Sequence, residues 1–200
     1  MMGVALPLNG TLIDASDLEE RASAALRDEL AALEEVKLSD AATGARFRQI
    51  ASKLVSTCGV PRPGVVRALQ ELRSLGVPIA VLARGMGGVE QSKARVINYD
   101  GLLVVSDDVG DSSDEALFGA VRQALDLPVE AIWYATADAE EAAAASRFGF
   151  NVVPIAKTVD EVLDAIREPY TRSLLGLRYI MRTALEWRPG HVVNPQDLER

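Results

Sequence analysis

The feature that most constrains the fold is an alternation of short apolar runs with segments of helical periodicity. The apolar runs fall at residues 4–8, 77–82, 102–105, 131–135 and 151–155. Most are bounded by Gly, Pro, Asp or Asn, which is typical of buried strands. Helical spacing of apolar residues recurs between most of them, as in Val65, Leu69 and Leu72. This order predicts an α/β fold with a parallel sheet, right-handed crossovers and helices on both faces.

The interval between the first two runs, nearly seventy residues, is too long for one crossover helix. A capping box at Ser16-Asp17-Leu18-Glu19 predicts a helix to about residue 35, and a second helix is predicted over about 40–56. We interpret this pair, within residues 15–59, as a helical hairpin inserted as a small cap over the end of the sheet. Two surface helices packed on the sheet are the alternative.

The C-terminal segment, residues 169–200, is predicted to lie outside an α/β core made of residues 1–14 and 60–168. After Pro169 the pattern predicts an amphipathic helix over about 170–187 and then an irregular tail. Arginines combined with large apolar and aromatic residues are typical of protein interfaces. The candidate interface residues are Leu174, Arg178, Met181, Arg182 and Trp187. We therefore expect a protein partner or self-association, for example a homodimer; packing of this helix on its own domain is the alternative.

Charge and composition restrict the expected partners. The sequence has 21 Lys and Arg against 29 Asp and Glu, a net charge of -8 and a pI of about 4.8. Such a surface repels phosphate backbones, so we expect no nucleic-acid partner. No apolar run approaches the ~20 residues of a membrane span, and the first residues lack the basic region of a signal peptide. We expect a cytoplasmic protein without membrane contact. The single cysteine, Cys58, excludes an internal disulfide and is expected to be buried.

The segment Leu6-Pro-Leu-Asn-Gly-Thr-Leu-Ile-Asp14 resembles the first motif of the haloacid dehalogenase-like hydrolases, a strand that ends in Asp-x-Asp-Gly-Thr-Leu. The matching residues are Gly10, Thr11, Leu12 and Asp14. Residues 63–82, 100–110 and 145–150 are similar to later segments of the family, in the same order. The resemblance spans about residues 4–166. It implies the haloacid dehalogenase-like core, a Rossmann-like parallel sheet flanked by helices, with a cap insertion.

For catalysis, the resemblance implies a small set of side chains at the strand ends. The family uses an Asp nucleophile and a second Asp that shuttles a proton. It adds a hydroxyl on the second strand, a Lys after the third, and carboxylates after the fourth that hold Mg²⁺. The corresponding positions here are Pro7, Asn9, Ala83, Ser112 and Thr136. Proline has no nucleophilic atom, and an amide cannot store or deliver a proton at neutral pH. The nearest acids to the fourth position are Asp138 and Glu141.

These replacements predict a catalytically inactive relative that acts in protein interaction, assembly or regulation. We expect no metal cofactor, because the residues that hold Mg²⁺ in the family are replaced. One alternative is a hydrolase of the phosphatase or dehalogenase type with relocated catalytic or metal-binding residues.

Another alternative is a domain that senses a small molecule or anion through the vestigial pocket. Gly85, Gly87 and Gly88 follow the second strand beside Arg84, and their N–H groups are candidate anion donors. A flexible loop is the simpler interpretation of this glycine cluster. The candidate ligand-binding residues are Asn9, Thr11, Arg84, Asp107, Asp108 and Asp138.

Overall fold

The computed structural model describes residues 2–32 and 38–172. The strands are β1 (Gly3–Pro7), β2 (Ile13–Asp14), β3 (Val60–Pro61), β4 (Ile79–Ala83), β5 (Leu102–Val105), β6 (Ile132–Thr136) and β7 (Asn151–Pro154). The helices are α1 (Leu18–Ala32), α2 (Asp40–Cys58), α3 (Val65–Ser74), α4 (Gly87–Val96), α5 (Ser106–Val109), α6 (Asp114–Leu125) and α7 (Ala139–Phe148). Residues 161–172 form α8, the last described helix.

The central sheet is parallel and has the strand order β5-β4-β1-β6-β7. This confirms the predicted Rossmann-like α/β sheet, including all of the predicted strands to within two residues. β1 lies in the middle, hydrogen-bonded to β4 on one side and β6 on the other, and all of its residues are buried. Because the strands are parallel, the loops that follow β1, β4, β5 and β6 meet at one edge of the sheet.

Side chains from alternate positions of the sheet build two apolar layers. Val4 and Leu6 face α3 and α8, whereas Ala5 faces the opposite layer, which contains Phe118 and Tyr134. An aromatic cluster of Phe118, Tyr134, Phe148 and Phe150, with centroids 5.1–5.6 Å apart, fills that second layer. Burial of each such side chain stabilises the fold by roughly 2 kcal/mol. The strand pattern is therefore continuously apolar rather than alternating, as expected for a sheet covered on both faces.

The predicted helical hairpin is formed by α1 and α2, which the short antiparallel ribbon of β2 and β3 joins to the core. The hairpin packs on α4 through a separate apolar cluster that includes Leu18, Ile50, Val55 and Val89. Ser39 begins α2 by accepting the N–H of Ala42. Since α4 starts where β4 has ended, the hairpin is anchored beside the carboxyl edge of the sheet.

Two short segments differ from the sequence interpretation. Gly87 and Gly88 form the first turn of α4, so the glycine cluster is mostly helical, and only Gly85 keeps a positive φ of 148°. Val89 and Ala94 are the buried apolar residues of this helix. The acids Asp107 and Asp108, expected in a loop, lie in the single turn of α5.

The C-terminal helix also begins earlier than expected. Residues 161–172 form one continuous helix through Pro169, so the predicted start at residue 170 is wrong for its described part. A proline inside a helix removes one backbone hydrogen bond. The residue after this proline, Tyr170, donates its hydroxyl to the Leu75 carbonyl at the end of α3. Leu174, Arg178, Met181, Arg182 and Trp187 lie outside the described residues. Within residues 2–32 and 38–172, no helix is both long and apolar enough to span a bilayer. Cys58 is buried, as predicted.

Removing the Tyr99 hydroxyl should destabilise the amino edge of the sheet. This buried hydroxyl lies 2.9 Å from the carbonyl oxygens of both Ile79 and Leu102, which begin β4 and β5. Tyr99→Phe should lower the free energy of unfolding by about 1–2 kcal/mol, because buried carbonyl groups lose their donor. Urea denaturation measures this change. Tyr170→Phe removes an exposed hydroxyl and should cost about 0.5 kcal/mol or less; equal losses for the two variants would contradict the assignment.

Candidate functional site

A cleft of about 760 Å³ opens at the carboxyl edge of the sheet, between the loops that follow β1, β4 and β6. Its lining includes four of the candidate ligand-binding residues, namely Asn9, Thr11, Arg84 and Asp138. The structure does not place Asp107 and Asp108 among the residues that line it. Five charged residues that the sequence analysis did not select as ligand-binding also line the cleft: Arg62, Asp114, Glu140, Glu141 and Arg147.

Pro7 ends β1 at the floor of this edge. The ladder from β1 to β6 stops at Ala5, whereas the ladder to β4 continues to Pro7. A proline without an N–H is tolerated here because the strand on the β6 side has already stopped pairing. Gly10, with φ of 74°, then makes the tight turn back to Ile13. The turn of the resembled motif is thus present, but the position of its nucleophile carries only apolar ring atoms.

Asn9 belongs to a closed network with two charged residues of α4. Lys93 Nζ lies 2.8 Å from both Asn9 Oδ1 and Glu90 Oε1, and Asn9 Nδ2 donates to Glu90 Oε2 at 3.1 Å. Asn9 Nδ2 also lies 3.3 Å from the Arg84 carbonyl oxygen. Glu90 and Lys93 are only 2% and 8% exposed. These three side chains, Asn9, Glu90 and Lys93, are called the ring network below.

A second network joins the turn after β1 to the end of β6. The hydroxyl oxygens of Thr11 and Thr136 lie 3.4 Å apart, and Thr11 Oγ1 accepts the N–H of Ala137 at 3.1 Å. Thr136 Oγ1 donates to Glu141 Oε2 at 2.9 Å and accepts the N–H of Asp138. Asp138 in turn begins α7 by accepting the N–H of Glu141 at 2.8 Å. Thr136 therefore positions neighbouring groups at the place where the resemblance puts an acid.

Glu141 is the acid with the most perturbed environment in the cleft. Burial raises its pKa above the ordinary value, although the Thr136 hydrogen bond and the nearby Arg84 guanidinium act in the opposite direction. The Tyr134 hydroxyl lies close by. It is fully buried and has no hydrogen-bond partner among the described residues. Burial raises the pKa of Tyr134, and the Glu141 charge raises it further. A carboxyl group with a raised pKa in a cleft is a candidate for proton transfer.

Internal partners already occupy most of the groups assigned to an anion site. The Arg84 guanidinium donates to the Ser112 carbonyl at 2.8 Å and pairs with Asp114. The Gly85 and Gly87 N–H groups donate to the Ser106 hydroxyl and to Asp107. An anion site at Arg84 and these glycines stays a prediction.

Two other cations of the lining have capacity left for a ligand. Arg62 Nε donates to the Gly10 carbonyl at 3.0 Å, and its terminal nitrogens have no partner in the described part of the chain. Arg147 makes no ion pair within residues 2–32 and 38–172.

Sequence reasoning missed the charged residues of α4. Glu90 and Lys93 are three positions apart, which places them on one face of a helix, but the glycines before them favoured a loop. In the structure, a Cβ at position 85 would lie 2.6 Å from Glu90 Oε1, so Gly85 leaves room for that carboxylate. Arg147 falls within the segment 145–150 that carries the resemblance, yet nothing in that segment marks it as a cleft residue.

Comparison with solved structures identifies the fold. A hydrolase from Pseudomonas syringae is 18% identical over 82% of this chain and 90% of its own, with a TM-score of 0.58. CbbY from Rhodobacter sphaeroides, solved in complex with phosphate, is 17% identical over 80% of this chain and 89% of its own, with a TM-score of 0.63. An L-2-haloacid dehalogenase is 18% identical over 80% of this chain and 87% of its own, with a TM-score of 0.56. The chain therefore has the haloacid dehalogenase-like fold. No protein-family model matches the sequence, and no curated protein matches it significantly.

The residues present do not fit the Mg²⁺ site that the resemblance implies. Mg²⁺ requires oxygen ligands in octahedral geometry, but Pro7 offers no side-chain oxygen and Asn9 Oδ1 accepts from an ammonium. Asp138 Oδ1 caps α7, and Glu141 Oε2 accepts a hydroxyl. Within the described ranges, no group of three His, Cys, Asp or Glu residues is arranged to hold a metal ion.

Replacing Glu141 by Gln should change how stability depends on pH. Because the folded-state pKa of Glu141 is raised, the folded chain binds this proton more tightly than the unfolded chain does. Its contribution to stability is therefore lost as the pH rises through the folded-state pKa. The variant Glu141→Gln should therefore be more stable relative to wild type, with a larger free energy of unfolding, near neutral pH than at about pH 4.

Urea denaturation at the two pH values measures this difference. Glu140→Gln changes the exposed neighbour on the same helix and is the matched control. The same pH dependence for both variants would show that the environment of Glu141 is not special.

Proposed function

We propose that this chain is a non-hydrolytic protein with the haloacid dehalogenase-like fold, and that it acts as an interaction, assembly or regulatory module. One observation carries the proposal. The position of the nucleophile is Pro7, and Asn9, two residues further on, is hydrogen-bonded to the buried side chains of Glu90 and Lys93.

The family reaction needs a nucleophile, a proton shuttle and a cation at this strand end. Pro7 has no atom that could form a covalent intermediate, and Asn9 cannot transfer a proton. Removal of a nucleophile alone lowers kcat by several orders of magnitude in other enzymes. Asn9 also has its amide oxygen and nitrogen bound to protein partners, so it is not directed at a substrate. These features together support a fold whose hydrolytic chemistry is gone.

A hydrolase with relocated chemistry is the second candidate, and Glu141 is the observation that favours it. Its carboxyl lines the cleft with a raised pKa, and Arg62 and Arg147 stand on the same lining. Such a group could transfer a proton without any residue at position 7. This candidate predicts turnover that depends on Glu141, so one experiment separates the two.

The purified full chain should not hydrolyse p-nitrophenyl phosphate or 2-chloropropionate, with or without Mg²⁺. We expect the rate to equal that of a blank preparation, because the residue at the nucleophile position, Pro7, has no reactive side-chain atom. Glu141→Gln and Asp138→Asn should leave this background rate unchanged, as should the control Glu140→Gln. Turnover that falls in Glu141→Gln or Asp138→Asn but persists in Glu140→Gln would establish the relocated hydrolase instead.

The interaction role is assigned to the segment that follows Arg172, where the candidate interface residues lie. A chain ending at Arg172 keeps the described helix α8 and its Tyr170 contact with Leu75. We expect the full chain to scatter light as more than its 21.5 kDa mass, or to capture partners from a lysate. The shortened chain should lose these associations while it keeps the thermal midpoint of the full chain. Equal mass and equal captured proteins for both chains would contradict this role.

A further inference from the structure

The ring network contains a buried ion pair between Lys93 and Glu90 whose charged groups are hydrogen-bonded. Each Glu90 carboxylate oxygen accepts one donor, Lys93 Nζ at 2.8 Å or Asn9 Nδ2 at 3.1 Å, and the Lys93 ammonium also reaches Asn9 Oδ1. Buried charges are tolerated only when they are paired and hydrogen-bonded in this way. The ring network links the loop after β1 to α4, and Asn9 also bonds to the Arg84 carbonyl, which follows β4.

The helical hairpin forms part of the surroundings of Glu90 and Lys93. Glu90 and Lys93 line a cavity of about 280 Å³ whose remaining walls include Phe47, Ala51 and Met86. Phe47 and Ala51 belong to α2, and Met86 precedes α4, so hairpin and core both line this cavity. A low local dielectric strengthens the attraction between Lys93 and Glu90, and it raises the penalty for removing either one alone.

We infer that Lys93 is a built-in cation: its ammonium neutralises the buried carboxylate beside the end of β1 and holds the following loop, so that folding of this site is independent of divalent metal. The donor set supports this directly. The ring network has three side-chain oxygens that could bind a metal. Asn9 Oδ1 and Glu90 Oε1 already accept from Lys93, and Glu90 Oε2 accepts from Asn9 Nδ2. Arg84 pairs with Asp114 on the lining of the cleft, but both of these side chains are partly exposed. The inference rests on these contacts and not on the absence of turnover.

Thermal unfolding of the full chain tests metal independence. The wild-type midpoint should be the same, within about 1 °C, in EDTA and in millimolar Mg²⁺ or Mn²⁺. A metal that bound the folded site and was present at ~100 times its Kd would raise the midpoint by about 5–10 °C. A rise of that size in the wild type would overturn the inference, whatever the hydrolysis assay shows.

Substitutions test the role of the ammonium itself. Lys93→Met keeps most of the side-chain volume but leaves Glu90 buried without its counterion, and it should lower the midpoint by about 10 °C. The double variant Lys93→Met with Glu90→Gln removes both charges and should recover at least half of that loss. Lys53→Met, an exposed lysine of α2, is the matched control and should leave the midpoint unchanged.

Two results would contradict a built-in cation. One is a midpoint for Lys93→Met that equals that of Lys53→Met. The other is a double variant whose midpoint falls by the sum of the losses measured for Lys93→Met and Glu90→Gln separately. An ion pair requires these two losses to be coupled, so that the double variant loses less than the sum. If Lys93→Met does not fold, the double variant and the wild-type metal series still decide the question.

Discussion

The burial of β1 on both faces is the constraint on which the rest of the structure depends. This strand is hydrogen-bonded to β4 and β6, and its side chains enter both apolar layers. A strand in that position must be apolar along its length, and polar residues can appear only after it ends. The loop from Leu8 to Ile13 is therefore the first place where chemistry is possible, and its geometry is fixed by the sheet beneath it.

Most of the polar groups at this edge already have hydrogen-bond partners within the chain. Catalysis relies on donors and cations held ready for charge that develops on a substrate. Here Lys93 and Arg84 neutralise Glu90 and Asp114, and the hydroxyls of Thr11 and Thr136 bond to neighbouring groups. A substrate that bound to these four groups would first have to displace the partners that they already have. Only the Arg62 and Arg147 side of the cleft retains donors without an internal acceptor among the described residues.

The sequence was sufficient to predict the central sheet and the helical hairpin, because a periodic pattern of apolar residues indicates which residues are buried. All of the central strands and the helical hairpin were predicted, since each repeats its pattern over several residues. α4 was missed because Gly87 and Gly88 begin it, and glycine favours loops when it is judged without tertiary contacts. The hairpin packs on α4 through Val89, and such tertiary packing offsets the poor intrinsic propensity of the first turn.

The site was only half predictable, for a different physical reason. Asn9, Thr11, Arg84 and Asp138 follow strands of the sheet, so topology alone brings them to one cleft. Partner choice within the cleft depends on side-chain reach across the tertiary structure, which spacing does not encode.

Asn9 and Lys93 are 84 positions apart and Thr11 and Thr136 are 125 apart, yet both pairs are in contact. The residues kept from the resembled motif, Gly10 and Thr11, are those that make the turn and tie β1 to β6. The changed residues, Pro7 and Asn9, are compatible with that turn but not with the reaction. At this strand end, the residues that make the turn are therefore different from the residues that the family reaction uses, so the turn can be kept while the reactive side chains are replaced.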